Sequence, residues 1–259
     1  MTSTADKAWA ATLHDLFHRG EDASPRGRRT KEILCRQSQW PMASPVVRNP
    51  ARKLGYRFMA GEAAWIAGGD NRVETIAPYS KTIRDFSDDG HTFAGAYGPK
   101  FVDQVGYVAR CLREDKDTRQ AVMTIWRERP GPSADIPCTV ALQWFMRGGE
   151  LHCSATMRSS DAWLGVPYDV VNFSVLSAYV AILTGYLRLG TLFLTCGSQH
   201  LYESNWEDAH RALSRDVVAV PPVAPADLAP FAKPSDLIAH LWALAHREKT
   251  TGWMAEIVS

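Results

Sequence analysis

RSSDAWLGVPYD, residues 158–169, runs directly into VVNFSVLSAYVAILTGYLRL, residues 170–189. The first stretch holds an arginine, two acids and a Gly-Val-Pro step. The second carries Arg188 as its only charge. A segment apolar on every side belongs inside a core rather than on a surface. At this length it also invites comparison with a membrane span. Asn172, Ser174, Ser177, Thr184 and Arg188 within it, and Asp169 at its mouth, favour a buried central helix over residues 170–189. Asp169 then poses a question. A carboxylate just before an enclosed helix is costly unless something pairs with it, protonates it or uses it.

Reading outward from that helix gives the rest of the fold. TLFLTCGSQHLY, residues 191–202, reads as a strand, a turn and a short helix. CTVALQWFM (138–146) and ELHCSATM (150–157) read as two strands joined by Arg-Gly-Gly, a hairpin signal. QAVMTIW (120–126) reads as another strand. Val105, Val108, Ala109 and Leu112 recur at helical spacing before the charged REDKDTR. GEAAWIAGGDN (61–71) reads as a helix end closed by Gly68 and Gly69, with Glu62 inside it. SPRGRRTKE (24–32) is a basic loop, and Trp9, Leu13, Leu16 and Phe17 mark an N-terminal helix. A Pro-rich stretch, residues 220–234, precedes a last amphipathic helix marked by Leu237, Ile238, Leu241, Trp242 and Ala245. Helices and strands mix without strict alternation and nothing repeats. The reading is therefore one α+β domain over 1–259, built on a mainly antiparallel or mixed sheet.

Composition sets outer limits. With 259 residues, 46% hydrophobic and 22% charged, the chain is globular and large enough to bury a core. A net charge of +1 gives no reason to expect nucleic acid as a partner. The five cysteines form no CxxC pair, so neither a zinc site nor any other metal is expected. The odd cysteine count and the lack of a secretory leader make a reducing, cytoplasmic compartment the expectation.

Several residues carry possible chemistry. Cys138 opens a strand, where a cysteine is either a small hydrophobe or a nucleophile. A nucleophilic thiol needs a nearby cation, and the hairpin folds Arg158 back toward Cys138. Arg158 with Ser159 suits an oxyanion; the plainer alternative is an ion pair with Asp161. Arg26, Arg28 and Arg29 form a loop that holds phosphate or is simply solvated. His200 and Tyr202 suit a sugar hydroxyl or form a satisfied core pair.

Taken together, these pieces resemble the thymidylate synthase family. The resemblance rests on GEAAWIAGGDN, GAYG (95–98), DTRQAV (117–122), PCT (137–139), RSSDAWLGVPYD and GSQHLYESN (197–205), all in family order. It implies a twisted mixed sheet flanked by helices, a homodimer formed through the sheet, a pyrimidine nucleotide substrate and 5,10-methylenetetrahydrofolate as one-carbon donor. Cys138 would be the nucleophile that adds to C6. Arg158, Ser159 and Arg26 would hold the phosphate, and Arg119 would reach the phosphate of the partner's site. Gln120 stands where the family usually places a second arginine. His200 and Tyr202 would bind the sugar 3′-hydroxyl. Asp161 would hold the pterin, with Leu164, Gly165 and Tyr168 lining its pocket. Glu62 and Tyr97 would organise water and proton transfers.

One departure answers the question about Asp169. Synthases carry asparagine there, whose carbonyl accepts from uracil N3–H and whose NH₂ donates to O4. Cytosine reverses both groups. An acid fits that reversed edge and delivers a proton to N3, whereas against uracil two acceptors would meet. This exchange marks the cytidylate hydroxymethylases within the family, so the expected substrate is CMP or dCMP. Thr139 replaces a common histidine. Ile83 occupies the place, counted back from GAYG, of the tryptophan that shields the exocyclic methylene from water. GWMAEIVS (252–259) offers no clear counterpart to the synthases' closing tail. The alternatives are a thymidylate synthase acting on dUMP and a non-catalytic member that binds nucleotide or RNA.

Overall fold

The computed structural model describes residues 4–80, 82–127, 131–214 and 226–255. The chain opens with α1 (Ala5–Arg19), capped by the Thr4 side chain accepting from the Lys7 N–H. Next come β1 (Glu21–Ala23), β2 (Thr30–Pro41), α2 (Tyr56–Ala67), the single turn α3 (Val73–Ile76) and α4 (Tyr97–Glu114). β3 (Val122–Thr124), β4 (Thr139–Arg147) and β5 (Glu150–Asp161) precede α5 (Val166–Thr184). β6 (Leu189–Tyr202), α6 (Trp206–Ser214) and α7 (Pro234–Ala245) complete the order.

The strands form a six-stranded sheet in the order β1-β2-β6-β5-β4-β3. β5 and β6 are parallel, because α5 carries the chain back across the sheet between them. The other neighbours are antiparallel, so the sheet is mixed and the fold is α+β, as expected. Gly148 and Gly149, at φ 60° and 78°, make the tight turn of the β4–β5 hairpin.

The two faces of the sheet differ. Leu142, Trp144, Leu151, Cys153, Ala155, Leu192 and Leu194 are fully buried beneath the helices. Trp144 donates its indole N–H to Ser177 of α5, and Trp9 of α1 donates to the Ala162 carbonyl. On the opposite face, cross-strand rows bring Gln143, Ser154 and Phe193 together, and Thr156, Thr195 and Gln37. These side chains are only half-buried or exposed.

Four sequence expectations need correction. The central helix spans Val166–Thr184, not 170–189, and Gly185 ends it at φ 77°. Asp169 is therefore inside the first helical turn rather than before the helix. Residues 191–202 contain no turn, because β6 continues through Gly197 to Tyr202. Gly197 is small for another reason: a Cβ there would lie 2.8 Å from the Arg158 carbonyl of the neighbouring strand. The basic loop ends earlier than expected, with Thr30 already in β2, and the strand within 120–126 shortens to Val122–Thr124. The long apolar helix is mostly enclosed by protein.

Candidate active site

Cys138 lies immediately before β4, and the antiparallel register returns β5 beside it. The Arg158 N–H donates to the Cys138 carbonyl at 2.8 Å. The Arg158 guanidinium then wraps the same loop. Its Nε and one terminal nitrogen each donate at 3.0 Å, to the carbonyls of Pro137 and Ile136, and the other terminal nitrogen donates to Ser159 Oγ at 3.1 Å. Three of the group's five donors are thus engaged and the rest are available to an anion. Arg158 is not paired with Asp161. Ser159 Oγ reaches the Cys138 sulfur at 3.7 Å. Burial pushes the Cys138 thiol up, while Arg158 and then Ser159 draw it back down.

These residues line a cavity of about 820 Å³ with Arg26, Glu32, Tyr97, Trp126, Ser198, His200 and Tyr202. Of the three loop arginines, only Arg26 lines it. Arg28 stacks over the Tyr202 ring at 4.0 Å, and Arg29 pairs with Glu203 at 2.6 Å. The His200 and Tyr202 rings meet edge-on at 5.1 Å.

A second cavity, of about 460 Å³, adjoins the first and shares Phe86, Tyr97 and Asp135 with it. Ile83, Leu164, Gly165 and Tyr168 line it together with Phe58, Trp65 and Phe93, and Glu62, Asp169 and Asn172 are among its polar residues. Tyr168 is fixed at both ends. Its hydroxyl accepts from the Gly55 N–H at 3.0 Å, and its ring meets Phe58 edge-on at 5.4 Å. Apolar and aromatic walls with an acid–amide end suit a heteroaromatic ring with polar edges. Leu164, Gly165 and Tyr168, expected from the sequence at a pterin pocket, all line this cavity.

The electrostatics of this junction are unusual. Asp169 is raised from 3.8 to about 8 by burial, then by the neighbouring acids Glu62 and Asp161. Glu62 is raised from 4.5 to about 7 by burial, despite a 2.8 Å hydrogen bond from Asn172. Both carboxyls therefore hold a proton more readily than ordinary acids do. The Tyr97 hydroxyl is also pushed up by burial; it accepts from Thr139 Oγ1 at 2.9 Å.

Asp161 and Arg119 stand apart from the cavity walls. One Asp161 oxygen caps the N–H groups of Trp163 and Leu164, at 2.8 and 2.9 Å; the other is buried without a hydrogen-bond partner among the described residues. Arg119 is exposed just before β3, where its carbonyl accepts from Gln143. It contributes nothing to the cleft of its own chain. Sequence reasoning also missed residues. Asn172 is one helical turn from Asp169, a spacing that was available to find it. Glu32, Ser198, Trp126 and Asp135 reach the cleft only through strand pairing and loop packing, which spacing does not reveal.

The site thus sets a thiol near a guanidinium and two buried acids, next to a largely apolar cavity. The family model described as thymidylate synthase matches residues 7–229. The chain belongs to the thymidylate synthase family, whose members transfer a one-carbon unit from methylenetetrahydrofolate to a pyrimidine nucleotide. The match ends before α7 begins.

Proposed function

We propose that the protein is a cytidylate 5-hydroxymethyltransferase, converting CMP or dCMP to the 5-hydroxymethyl nucleotide. The observation that carries this reading is Asp169, a carboxyl raised to about 8 where the family's uracil readers hold an amide. A protonated carboxyl offers one O–H donor and one C=O acceptor side by side. Cytosine N3 and its 4-amino group are the complementary pair.

The Cys138 thiolate adds to C6 while Asp169 delivers a proton to N3, so the ring does not accumulate negative charge. Arg158 opposes the burial penalty on the thiolate, and its free donors with Ser159 and Arg26 hold the phosphate. His200 and Tyr202 bind the sugar. 5,10-Methylenetetrahydrofolate supplies a one-carbon unit at the oxidation level of formaldehyde, which C5 of the nucleotide takes up. Tyr97 and Glu62 relay the C5 proton away. Water, aligned by Glu62, then adds to the exocyclic methylene, and the S–C6 bond breaks to release the product. A hydroxymethyl group needs no further reduction, so tetrahydrofolate leaves unoxidised. Ile83 on the cavity wall leaves an aliphatic side chain where the synthases' tryptophan shields the methylene, which supports water entry.

The reading includes a homodimer through the half-buried face of the sheet, with Arg119 completing the partner's phosphate site. The remoteness of Arg119 from its own cleft supports it. The test is product analysis with CMP, dCMP and dUMP and labelled methylenetetrahydrofolate. Hydroxymethyl cytidylate without dihydrofolate is the expected outcome. Methylated uridylate with stoichiometric dihydrofolate would make the protein a thymidylate synthase instead.

A further inference from the structure

Glu32 has no place in the chemistry above, yet it lines the nucleotide cavity. It lies in β2 directly opposite His200 of β6, and Ser198 Oγ donates to its Oε1. A hydroxyl rather than a cation thus fixes its orientation, leaving Oε2 to accept from elsewhere.

The two ends of a bound nucleotide narrow what Glu32 can meet. A carboxylate accepts hydrogen bonds only. A phosphate offers no donor and repels it, and the phosphate end is marked by Arg158, Ser159 and Arg26. The hydrogen-bonding edge of the base, whichever base it is, belongs with Asp169, on α5. What remains is the sugar, and His200, the cross-strand neighbour of Glu32, belongs to the sugar end. A deoxyribose gives that end one hydroxyl, which His200 and Tyr202 satisfy. A ribose adds a second, adjacent and cis to the first. Carboxylates are well suited to the ribose 2′-hydroxyl, as in dinucleotide-binding folds.

We propose that Glu32 binds the ribose 2′-hydroxyl, so that the substrate is a ribonucleotide rather than a deoxyribonucleotide. This rests on the nucleotide-binding reading of the cleft but not on which base is read. A hydrogen bond to a charged acceptor corresponds to roughly 10-fold or more in affinity.

The experiment is calorimetric titration of CMP, dCMP, UMP and dUMP into the full chain, as wild type, Glu32→Gln and Glu32→Ala. Circular dichroism and thermal melting establish that each variant is folded. Wild type is expected to bind the ribonucleotide of each base about 10-fold or more tightly than its deoxy counterpart. Glu32→Ala brings that ratio to about one, and Glu32→Gln, which keeps an acceptor oxygen without the charge, falls between. A wild-type ratio at or below one overturns the proposal. So does an equal loss of both sugars in the variants, since that is the mark of Glu32 merely fixing Ser198. Because base and sugar vary separately, a uracil preference with an intact ribose preference defeats the cytidylate reading and leaves Glu32 in place.

Discussion

Asn172 donates to Glu62 at 2.8 Å from one helical turn beyond Asp169. That contact is the one opposing the burial that lifts Glu62 to about 7. Through it, α5, the helix that carries Asp169, also influences the protonation of Glu62.

Asn172→Ala removes a donor that favours the ionised Glu62. The pKa of Glu62 then rises further, and at neutral pH less of it is available as a base. In a pH profile of turnover, the midpoint of the acidic limb moves to higher pH than in wild type. A midpoint that stays put or moves down assigns Asn172 no influence on Glu62.

Asp169 also makes the free protein sensitive to pH. Its folded pKa of about 8 exceeds the ordinary value of 3.8, so the native state binds a proton that the unfolded chain releases. Its favourable contribution is complete below about pH 4 and is lost as pH rises toward 8. Asp169→Asn, of nearly the same shape, lacks that loss. Chemical denaturation should show the variant gaining on wild type across this window, by up to about 1.4 kcal/mol per pH unit. The pH-dependent part of the difference vanishes toward pH 4. A constant difference across the window contradicts a raised Asp169.

Subunit mixing checks the shared phosphate site. Cys138→Ser lacks a competent nucleophile, because a hydroxyl is far less ionised than a thiol at neutral pH. On the proposed dimer, loss of Arg119 leaves the partner's phosphate site short of a cation. Neither variant alone turns over, and a mixture regains activity from heterodimers that hold one intact site. No recovery after verified subunit exchange removes Arg119 from the partner's site.

Much of this arrangement was legible in the sequence where chemistry and spacing coincide. RSSDAWLGVPYD announced Arg158, Ser159 and Asp169 together, and the hairpin reading correctly returned Arg158 to Cys138. The two adjoining cavities collect nine further expected residues between α1 and α6, from Arg26 to Tyr202, apart from Asp161 and Arg119. Turn propensity misled at Gly197, where glycine serves close strand packing and β6 runs straight on. It misjudged the length of α5 as well, because Tyr186 and Leu187 continue the apolar pattern after Gly185 has ended the helix. Glu32 was hidden for a deeper reason. It faces His200 only through strand pairing across 168 positions of sequence separation, and no local pattern encodes such a register.

On the proposed reading, Asp169 both recognises cytosine and supplies the proton for addition of Cys138. Tritium release from C5-labelled CMP, dCMP, UMP and dUMP, compared between wild type and Asp169→Asn, separates these roles from a structural one. The amide rotates to satisfy cytosine, so cytidylate binding largely survives, but it has no ionisable proton to give N3. The cytidylate release rate should fall by roughly 100-fold or more, while release from a uridylate appears or increases. An unchanged preference for cytidylate in rate would contradict the account, because a residue that reads the base and protonates it cannot be replaced without altering that preference.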